Sequence, residues 1–367
     1  MKILLCGGGT AGHVYPAIAM AEIIKSKYPD AEFMFIGREG GGENDIPISS
    51  GIPLGLIDCE GIDRRSVFRA LKGLFKSLSA VKRAKAIIKD FAPRLVIGTG
   101  GYVSWPVITA ARSLKIKTII HESNAFPGLV TRMLAPRCDA TLLGFPSAEE
   151  YLKRPKRVLC TGNPTRREFK ALSRDEARRR LGIPKSQFLV VSFGGSLGAE
   201  AMNDIIPEAM LRLREKHPNY THVHACGRRF FDKSAREHPE LVRKQGSRII
   251  AYIENVPLWF SAADLAITRS GAITISELTA ANLPSILIPS PNVTDDHQSR
   301  NARAVSESGG AILLPEQDLT VESLLKIIED ILSDKSRLSH MRASMPRDSM
   351  IKFEREFMAL FDELYPF

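Results

Sequence analysis

Two glycine-rich loops carry the residues best suited to chemistry in this 367-residue chain. Gly7-Gly8-Gly9-Thr10-Ala11-Gly12 satisfies the G-x-G-x-x-G spacing, in which small residues let backbone amides at a helix N-terminus approach a diphosphate. His13 follows directly, and imidazole is the side chain that takes up and releases a proton near neutral pH. The competing reading is a histidine that caps or packs locally, since the positive end of a helix lowers its basicity. A second loop, Gly194-Gly195-Ser196-Leu197-Gly198, repeats the arrangement after another apolar run. Further on, Arg269-Ser270-Gly271-Ala272-Ile273-Thr274 leads to Glu277, a carboxylate able to accept hydrogen bonds from neighbouring hydroxyls. Each glycine run alone is compatible with a tight turn that needs glycine for steric reasons. Their repetition points to two loops facing a cleft, each serving one partner of a transfer reaction.

The elements that must position these loops alternate along the chain. Ile3 to Cys6 is a strand-like apolar run ending in the first loop, and Tyr15 to Lys27 has apolar residues at helical spacing. Phe33 to Ile36, Leu95 to Ile97 and Thr118 to Ile120 are further strand candidates separated by helical patterns. The pattern restarts at Phe188 to Phe193, continues through a helix over Glu200 to Lys216, and gives strands at Tyr220 to Ala225, Arg248 to Ala251, Leu265 to Ile267 and Ser285 to Ile288. Alternating strands and helices predict parallel sheets covered on both faces, hence an α/β protein of two doubly wound, Rossmann-like domains. Gly162-Asn163-Pro164 breaks any regular element, so the domains are placed at 1–160 and 161–345, with 346–367 a last helical stretch.

Composition fits this size and class: 44% hydrophobic and 25% charged residues leave no stretch that argues for disorder. The net charge of +10 is lopsided, with +9 in residues 1–160 and +1 in the remainder. An anionic surface, bilayer or nucleic acid, is the partner this implies. The five cysteines are widely spaced and form no C-x-x-C pair, and the opening apolar run is too short for a secretory signal. A cytosolic, reducing location is expected.

A dehydrogenase is the first alternative for the glycine loop, but Glu39 is the only acidic candidate near the end of the second strand to hold a ribose. Asp295-Asp296 resembles half of a metal site, yet adjacent acids without a ligand cluster are more often surface or capping residues, so no metal and no cofactor are expected.

Taken together, Gly7 to Pro16, Gly100-Gly101-Tyr102-Val103-Ser104, His121-Glu122-Ser123-Asn124, Gly162-Asn163-Pro164-Thr165-Arg166, Gly194 to Ala199, Arg269 to Glu277, Asp295-Asp296-His297-Gln298 and Asn301 resemble one family. It is the bacterial peptidoglycan N-acetylglucosaminyltransferases of glycosyltransferase family 28, the MurG family. The resemblance implies the glycosyltransferase-B fold and inverting transfer of N-acetylglucosamine from UDP-GlcNAc to undecaprenyl-diphosphate-MurNAc-pentapeptide (lipid I), giving lipid II for cell-wall synthesis. It implies an N-terminal acceptor domain, a C-terminal UDP-GlcNAc domain, and a final helix that returns to the first. His13 becomes the base; Glu277 holds the ribose; Arg166, Ser196, Ile273 and Thr274 lie at the diphosphate or sugar, and Ile253 against uracil. Asn124, His297 and Gln298 contact the transferred sugar. Thr10, Ala11 and Gly12 position donor sugar or acceptor diphosphate, and Tyr102 and Glu122 line the acceptor side. The pattern is broken at Ala11, Ser123 and Leu197, where the family commonly has glycine, glutamine and glutamine, so no side-chain contact is carried over to Ser123 or Leu197. A peripheral place on the cytoplasmic face of the inner membrane, beside cell-envelope synthesis proteins, is also implied.

Val67, Leu71, Leu74 and Leu78 fall at helical spacing, Phe68 and Phe75 widen the stripe, and Lys72 and Lys76 supply positive charge. This resembles an interfacial helix on an anionic phospholipid surface, although a helix covering a sheet shows the same stripe. No RNA- or DNA-binding motif accompanies the charge, so nucleic acid ranks below membrane. A transferase for another lipid such as diacylglycerol, a non-hydrolytic sugar-binding protein and a nucleotide-sugar epimerase are the remaining alternatives.

Overall fold

Short aliphatic runs bounded by glycine form parallel strands in both halves of the chain. The computed structural model describes residues 1–42, 44–59, 67–165, 168–195, 197–242, 245–345 and 349–365, with the backbone alone at 11, 46, 67–77, 170–171, 335 and 349. Contacts divide it into one unit of Met1–Thr165 with Ser349–Phe367 and a second of Arg166–Asp348. Asn163 therefore belongs to the first unit, where its side-chain amide donates to the Ser123 carbonyl at 3.0 Å.

In the first unit, β1 (Lys2–Cys6), β2 (Glu32–Arg38), β3 (Leu54–Ile57), β4 (Leu95–Gly98), β5 (Lys117–Glu122), β6 (Ala140–Leu143) and β7 (Val158–Leu159) form a parallel sheet ordered β3-β2-β1-β4-β5-β6-β7. The sequence did not mark β3, β6 or β7. β7 has only two residues, and β3 contains Gly55. One face is covered by the helix Ala11–Lys27 and the terminal helix Ser349–Leu364, whose Phe353, Phe357 and Phe361 are fully buried with Leu5, Met20 and Phe35. The other face packs against Ala80, Ala84 and Ile88 of the helix Val67–Phe91 and Val107 and Ile108 of the helix Ser104–Ser113.

The second unit repeats the plan: β8 (Phe188–Phe193), β9 (Tyr220–Ala225), β10 (Arg248–Ile250), β11 (Leu265–Thr268), β12 (Ser285–Leu287) and β13 (Ala311–Leu313) are ordered β10-β9-β8-β11-β12-β13, all parallel. The helices Glu200–Lys216 and Val321–Ser333 pack together on its core through Met202, Ile206, Met210, Leu324 and Ile328. In both units the strand order reverses beside the first strand, at β1/β4 and at β8/β11, where a crevice opens at the carboxyl ends of the strands.

Three histidines lie wholly inside these cores: His121 on β5, and His222 and His224 on β9. Burial holds the His121 and His224 imidazoles at about 3, and pushes His222 well below its ordinary value of 6.5. The unfolded chain then binds more protons below pH 6.5 than the folded one, so stability is complete above that pH and falls as pH drops towards 3. At pH 5 His121 and His224, each held at about 3, cost about 2 kcal/mol apiece, and His222 adds to the second unit's loss in the same direction. The urea midpoint is expected to be lower at pH 5 than at pH 7, and to fall further for the second unit than for the first, because two of the three histidines are in it.

Candidate active site

The helix Ala11–Lys27 begins four residues before the sequence pattern suggests, so Gly12 and His13 are in its first turn. Thr10 is its N-cap in extended conformation, and the His13 amide donates to the Thr10 carbonyl at 3.1 Å. Pro16 has no N–H to bond the Gly12 carbonyl, which leaves that end of the helix open towards the loop. His13 Nδ1 lies 3.0 Å from the Gly8 carbonyl oxygen. A carbonyl only accepts, so Nδ1 carries the proton and Nε2 is the basic nitrogen of the neutral ring. Thr10 Oγ1 is 3.3 Å from the same Nδ1.

Neighbouring strands complete this arrangement. β4 runs into Thr99-Gly100-Gly101-Tyr102, and the Thr99 hydroxyl lies between the carbonyls of Cys6 and His13. The imidazole lies against the two glycines: a methyl at Gly100 would stand 2.9 Å from Cδ2 and 3.2 Å from Nε2. Gly101 has φ of +72°, and a Cβ there would overlap the Gly8 carbonyl oxygen. Gly101→Ala is therefore expected to push that oxygen off His13, cost about 1–3 kcal/mol of stability and abolish most turnover, checked by thermal melts alongside a transfer assay. The Tyr102 ring is packed against Gly9, so Tyr102 shares this crevice with Thr10, Gly12 and His13.

Glu122 is the last residue of β5. It is 5% exposed, and its carboxylate accepts from the Asn124 amide at 3.0 Å, from Asn124 Nδ2 at 3.1 Å and from the Gly128 amide at 2.9 Å. It braces the loop leading into the helix Leu129–Leu134 and holds the Asn124 carboxamide.

The second unit gathers its own group. The helix Ala272–Ala280 starts from Gly271, and no side chain caps its first turn, which carries Ile273 and Thr274; Glu277 follows one turn later, half-buried. Arg269 donates to the carbonyls of Ile288 and Pro289 and pairs with Glu316, while Asn301 Nδ2 donates to the Ser270 carbonyl at 3.3 Å. These contacts tie the end of β11 to the segment after β12. There Asp295 and Asp296 take left-handed conformations, with φ of +56° and +49°, immediately before the helix His297–Ser306. His297 Nδ1 donates to the Thr294 carbonyl at 2.8 Å, so Nε2 is its accepting nitrogen, and Gln298 Oε1 accepts from the Ser290 amide at 2.9 Å. Asp296, the N-cap residue of that helix, accepts the Ser299 hydroxyl at 2.6 Å but caps no backbone amide with its side chain. Ile253 is buried just past β10, two strands from β8 on the side away from β11.

Arg166 and Ser196 lie outside the described residues, as does the side chain of Ala11. The same holds for the side chains of Val67, Phe68, Leu71, Lys72, Leu74, Phe75 and Lys76, although their backbone is helical; Leu78, on the same helix, is 55% exposed. Sequence reasoning missed Thr99, which binds the first loop's helix to β4, and the buried histidines of β9. The signal for the latter was available: Tyr220, His222 and His224 alternate along one strand and so share one face.

Each of the two doubly wound units places a glycine loop at its switch point, and the chain belongs to glycosyltransferase family 28. The N-terminal domain of that family matches residues 3–143 and its C-terminal domain residues 189–359. Among its relatives is the UDP-N-acetylglucosamine–N-acetylmuramyl-(pentapeptide) pyrophosphoryl-undecaprenol N-acetylglucosamine transferase of Acetivibrio thermocellus, 42% identical over 93% of this chain and 92% of that protein. The protein of the same name from Caldanaerobacter subterraneus subsp. tengcongensis is 40% identical over 93% and 94%. The crystal structure of Acinetobacter baumannii MurG superimposes with a TM-score of 0.77 at 25% identity, over 99% of both chains.

Proposed function

We propose that this chain transfers N-acetylglucosamine from UDP-GlcNAc to undecaprenyl-diphosphate-MurNAc-pentapeptide, forming lipid II with inversion at the anomeric carbon. The observation that carries the reading is the 42% identity to a transferase of that name along 93% of the chain. The acceptor belongs to the first unit, beside His13 and Tyr102, and UDP-GlcNAc to the second, beside Thr274, Glu277, His297 and Gln298. His13 Nε2 takes the proton of the attacking sugar hydroxyl as the new glycosidic bond forms and the bond from the anomeric carbon to UDP breaks. The Gly8 carbonyl, accepting from Nδ1, keeps the ring in the required tautomer and stabilises the imidazolium that results. The charge that develops on the departing diphosphate meets backbone amides at the second glycine loop and at the start of the helix Ala272–Ala280. Glu277 takes the ribose hydroxyls.

The deciding experiment is transfer of labelled N-acetylglucosamine from UDP-GlcNAc to a soluble lipid I analogue, with chelator present and diacylglycerol as the comparison acceptor. Absence of product with the lipid I analogue overturns the proposal; product with diacylglycerol alone makes the enzyme a transferase for another lipid.

The enzyme works as a peripheral protein at the cytoplasmic face of the inner membrane, holding an anionic phospholipid surface with the basic, apolar segment that begins the helix Val67–Phe91. Among the described residues no helix is long and apolar enough to cross a membrane. Each cation near an anionic leaflet contributes about 1 kcal/mol and each inserted ring about 1.5–3 kcal/mol before costs. Phe68→Ser with Phe75→Ser is expected to weaken sedimentation with anionic vesicles at least about tenfold and to leave transfer to a soluble acceptor unchanged.

A further inference from the structure

A continuous line of buried polar groups crosses the second unit, and it ends against the second glycine loop. Tyr220 OH is 2.8 Å from His222 Nδ1; His222 Nε2 is 2.7 Å from Ser192 Oγ; Ser192 Oγ is 2.8 Å from His224 Nδ1. His224 Nε2 is 3.0 Å from Asn203 Oδ1, and Asn203 Nδ2 donates to the Cys226 carbonyl at 2.9 Å. Apart from Asn203 at 6% and Tyr220 at 3%, these side chains are wholly buried.

The direction of every bond follows from the last one. The Cys226 carbonyl only accepts, so the Asn203 amide nitrogen must face it and the amide oxygen must face His224. His224 then donates from Nε2 and, as a neutral ring, accepts at Nδ1. The single hydroxyl proton of Ser192 goes to that Nδ1, which obliges His222 to donate from Nε2 to the Ser192 oxygen. His222 in turn accepts at Nδ1 from the Tyr220 hydroxyl. Reversing any one member would oppose two acceptors or two donors within the core, a cost of about 1–3 kcal/mol for each group left unsatisfied.

The loop end of this relay is as tightly specified. Asn203 lies in the first turn of the helix Glu200–Lys216, its own amide donating to the Ala199 carbonyl at 2.9 Å. Gly198, with φ of +77°, presses so closely on the Cys226 carbonyl that a Cβ would overlap the oxygen. One carbonyl thus meets the Asn203 amide on one side and the loop backbone on another. The helix start, the end of β9 and the loop are locked together at this point.

We infer that the Tyr220–His222–Ser192–His224–Asn203 relay is the positioning device for the second glycine loop, fixing through Asn203 and the Cys226 carbonyl the backbone that receives the donor diphosphate. The inference rests on the reading that this loop serves UDP-GlcNAc. None of the relay residues touches substrate; they act through the loop. Burial, which keeps both imidazoles neutral, suits them to a relay that does not titrate in the working pH range.

The test has two arms. In protein labelled with ¹⁵N-histidine, both His222 and His224 should appear as the Nε2–H tautomer with no titration between about pH 5.5 and 8. A Nδ1–H tautomer at either ring, or titration in that range, overturns the relay. In the second arm, Ser192→Ala and Asn203→Ala are compared with Ile328→Ala, a packing loss in the helix Val321–Ser333 on the same core. The relay variants should raise the KM for UDP-GlcNAc about tenfold or more, leave the acceptor KM unchanged, and weaken UDP binding in calorimetry by a similar factor. Ser192→Thr, which keeps the hydroxyl, should recover most of the donor affinity, whereas Ile328→Ala should lower the melting temperature without changing the donor KM. Equal donor effects in all the alanine variants, or none in the relay variants, would reduce the network to general stability and overturn the inference. Failure of the native enzyme to bind UDP would instead overturn the functional reading itself, and the inference with it.

Discussion

His13→Ala is expected to lower kcat for sugar transfer about 10²–10⁴-fold, with the KM for UDP-GlcNAc within about threefold of the native value. The size follows from the role: without a base the hydroxyl must attack with its proton still bound or pass it to water. The donor KM is spared under the proposed assignment of UDP-GlcNAc to the second unit. His13→Gln sharpens the test. Its carboxamide nitrogen can still donate towards Gly8, so the loop keeps its shape, but the side chain has no group that accepts a proton near pH 7. Both variants should melt close to the native temperature, since His13 is only half-buried at the first turn of its helix. Near-native turnover in either would remove His13 from the mechanism while leaving the loop and fold as described.

The largest expected loss of stability lies elsewhere, at Arg178. Its guanidinium is 2% exposed and bonds the carbonyls of Ala262, Pro184, Lys185 and Gln187 at 2.9–3.2 Å, together with Asp264 at 2.6 Å. Asp264, 8% exposed in its side chain, also accepts the Leu189 amide at 2.8 Å and pairs with Arg174. This one side chain therefore joins the helix Arg174–Leu181 to the beginnings of β8 and β11, the strands that carry the second unit's two glycine-containing motifs. Arg178→Met keeps much of the volume but takes from the buried Asp264 carboxylate its fully buried partner, leaving it Arg174 and the Leu189 amide, and leaves several carbonyls without their donor. The expected cost is about 3–5 kcal/mol. Trp259, 9% exposed in the helix that ends at Ala262, reports on this unit; a Trp105→Phe background removes the chain's other tryptophan. The Trp259 urea transition should shift by the stated amount. Arg178→Met with Asp264→Asn should recover part of the loss, because a buried carboxylate left with fewer partners is then replaced by a neutral amide. A shift below about 1 kcal/mol would mean the cluster is replaceable by solvent.

Much of the architecture was legible because parallel strands buried on both faces read as unbroken aliphatic runs. β1 and β8 were found to within a residue at either end, for that reason and because glycine follows each directly; β9, which mixes polar and apolar residues, was bounded as well. β3, β6, β7 and β13 were not; length alone does not set them apart, because β4, β10, β11 and β12 are also three or four residues long and were marked. The site was legible to the extent that its parts were contiguous. The glycine loops, His13 and Glu277 each announce themselves within ten residues of sequence. Glu122 did not announce its orientation, because the Asn124 and Gly128 amides become its neighbours only once the loop has turned back on β5.

By itself the sequence determined the class of fold, the two glycine loops and the chemistry of the residues beside them, because strand propensity, loop sterics and side-chain acidity are local properties. Tertiary structure alone decided which groups those residues face. Thr99 meets His13 across 86 positions of chain, and Asp264 meets Arg178 across 86. The tautomer of His13 is set by a carbonyl in the folded loop, and those of His222 and His224 by a relay ending at Cys226. Hydrogen-bond direction inside a dry core depends on the full set of neighbours, and only the closed fold supplies it.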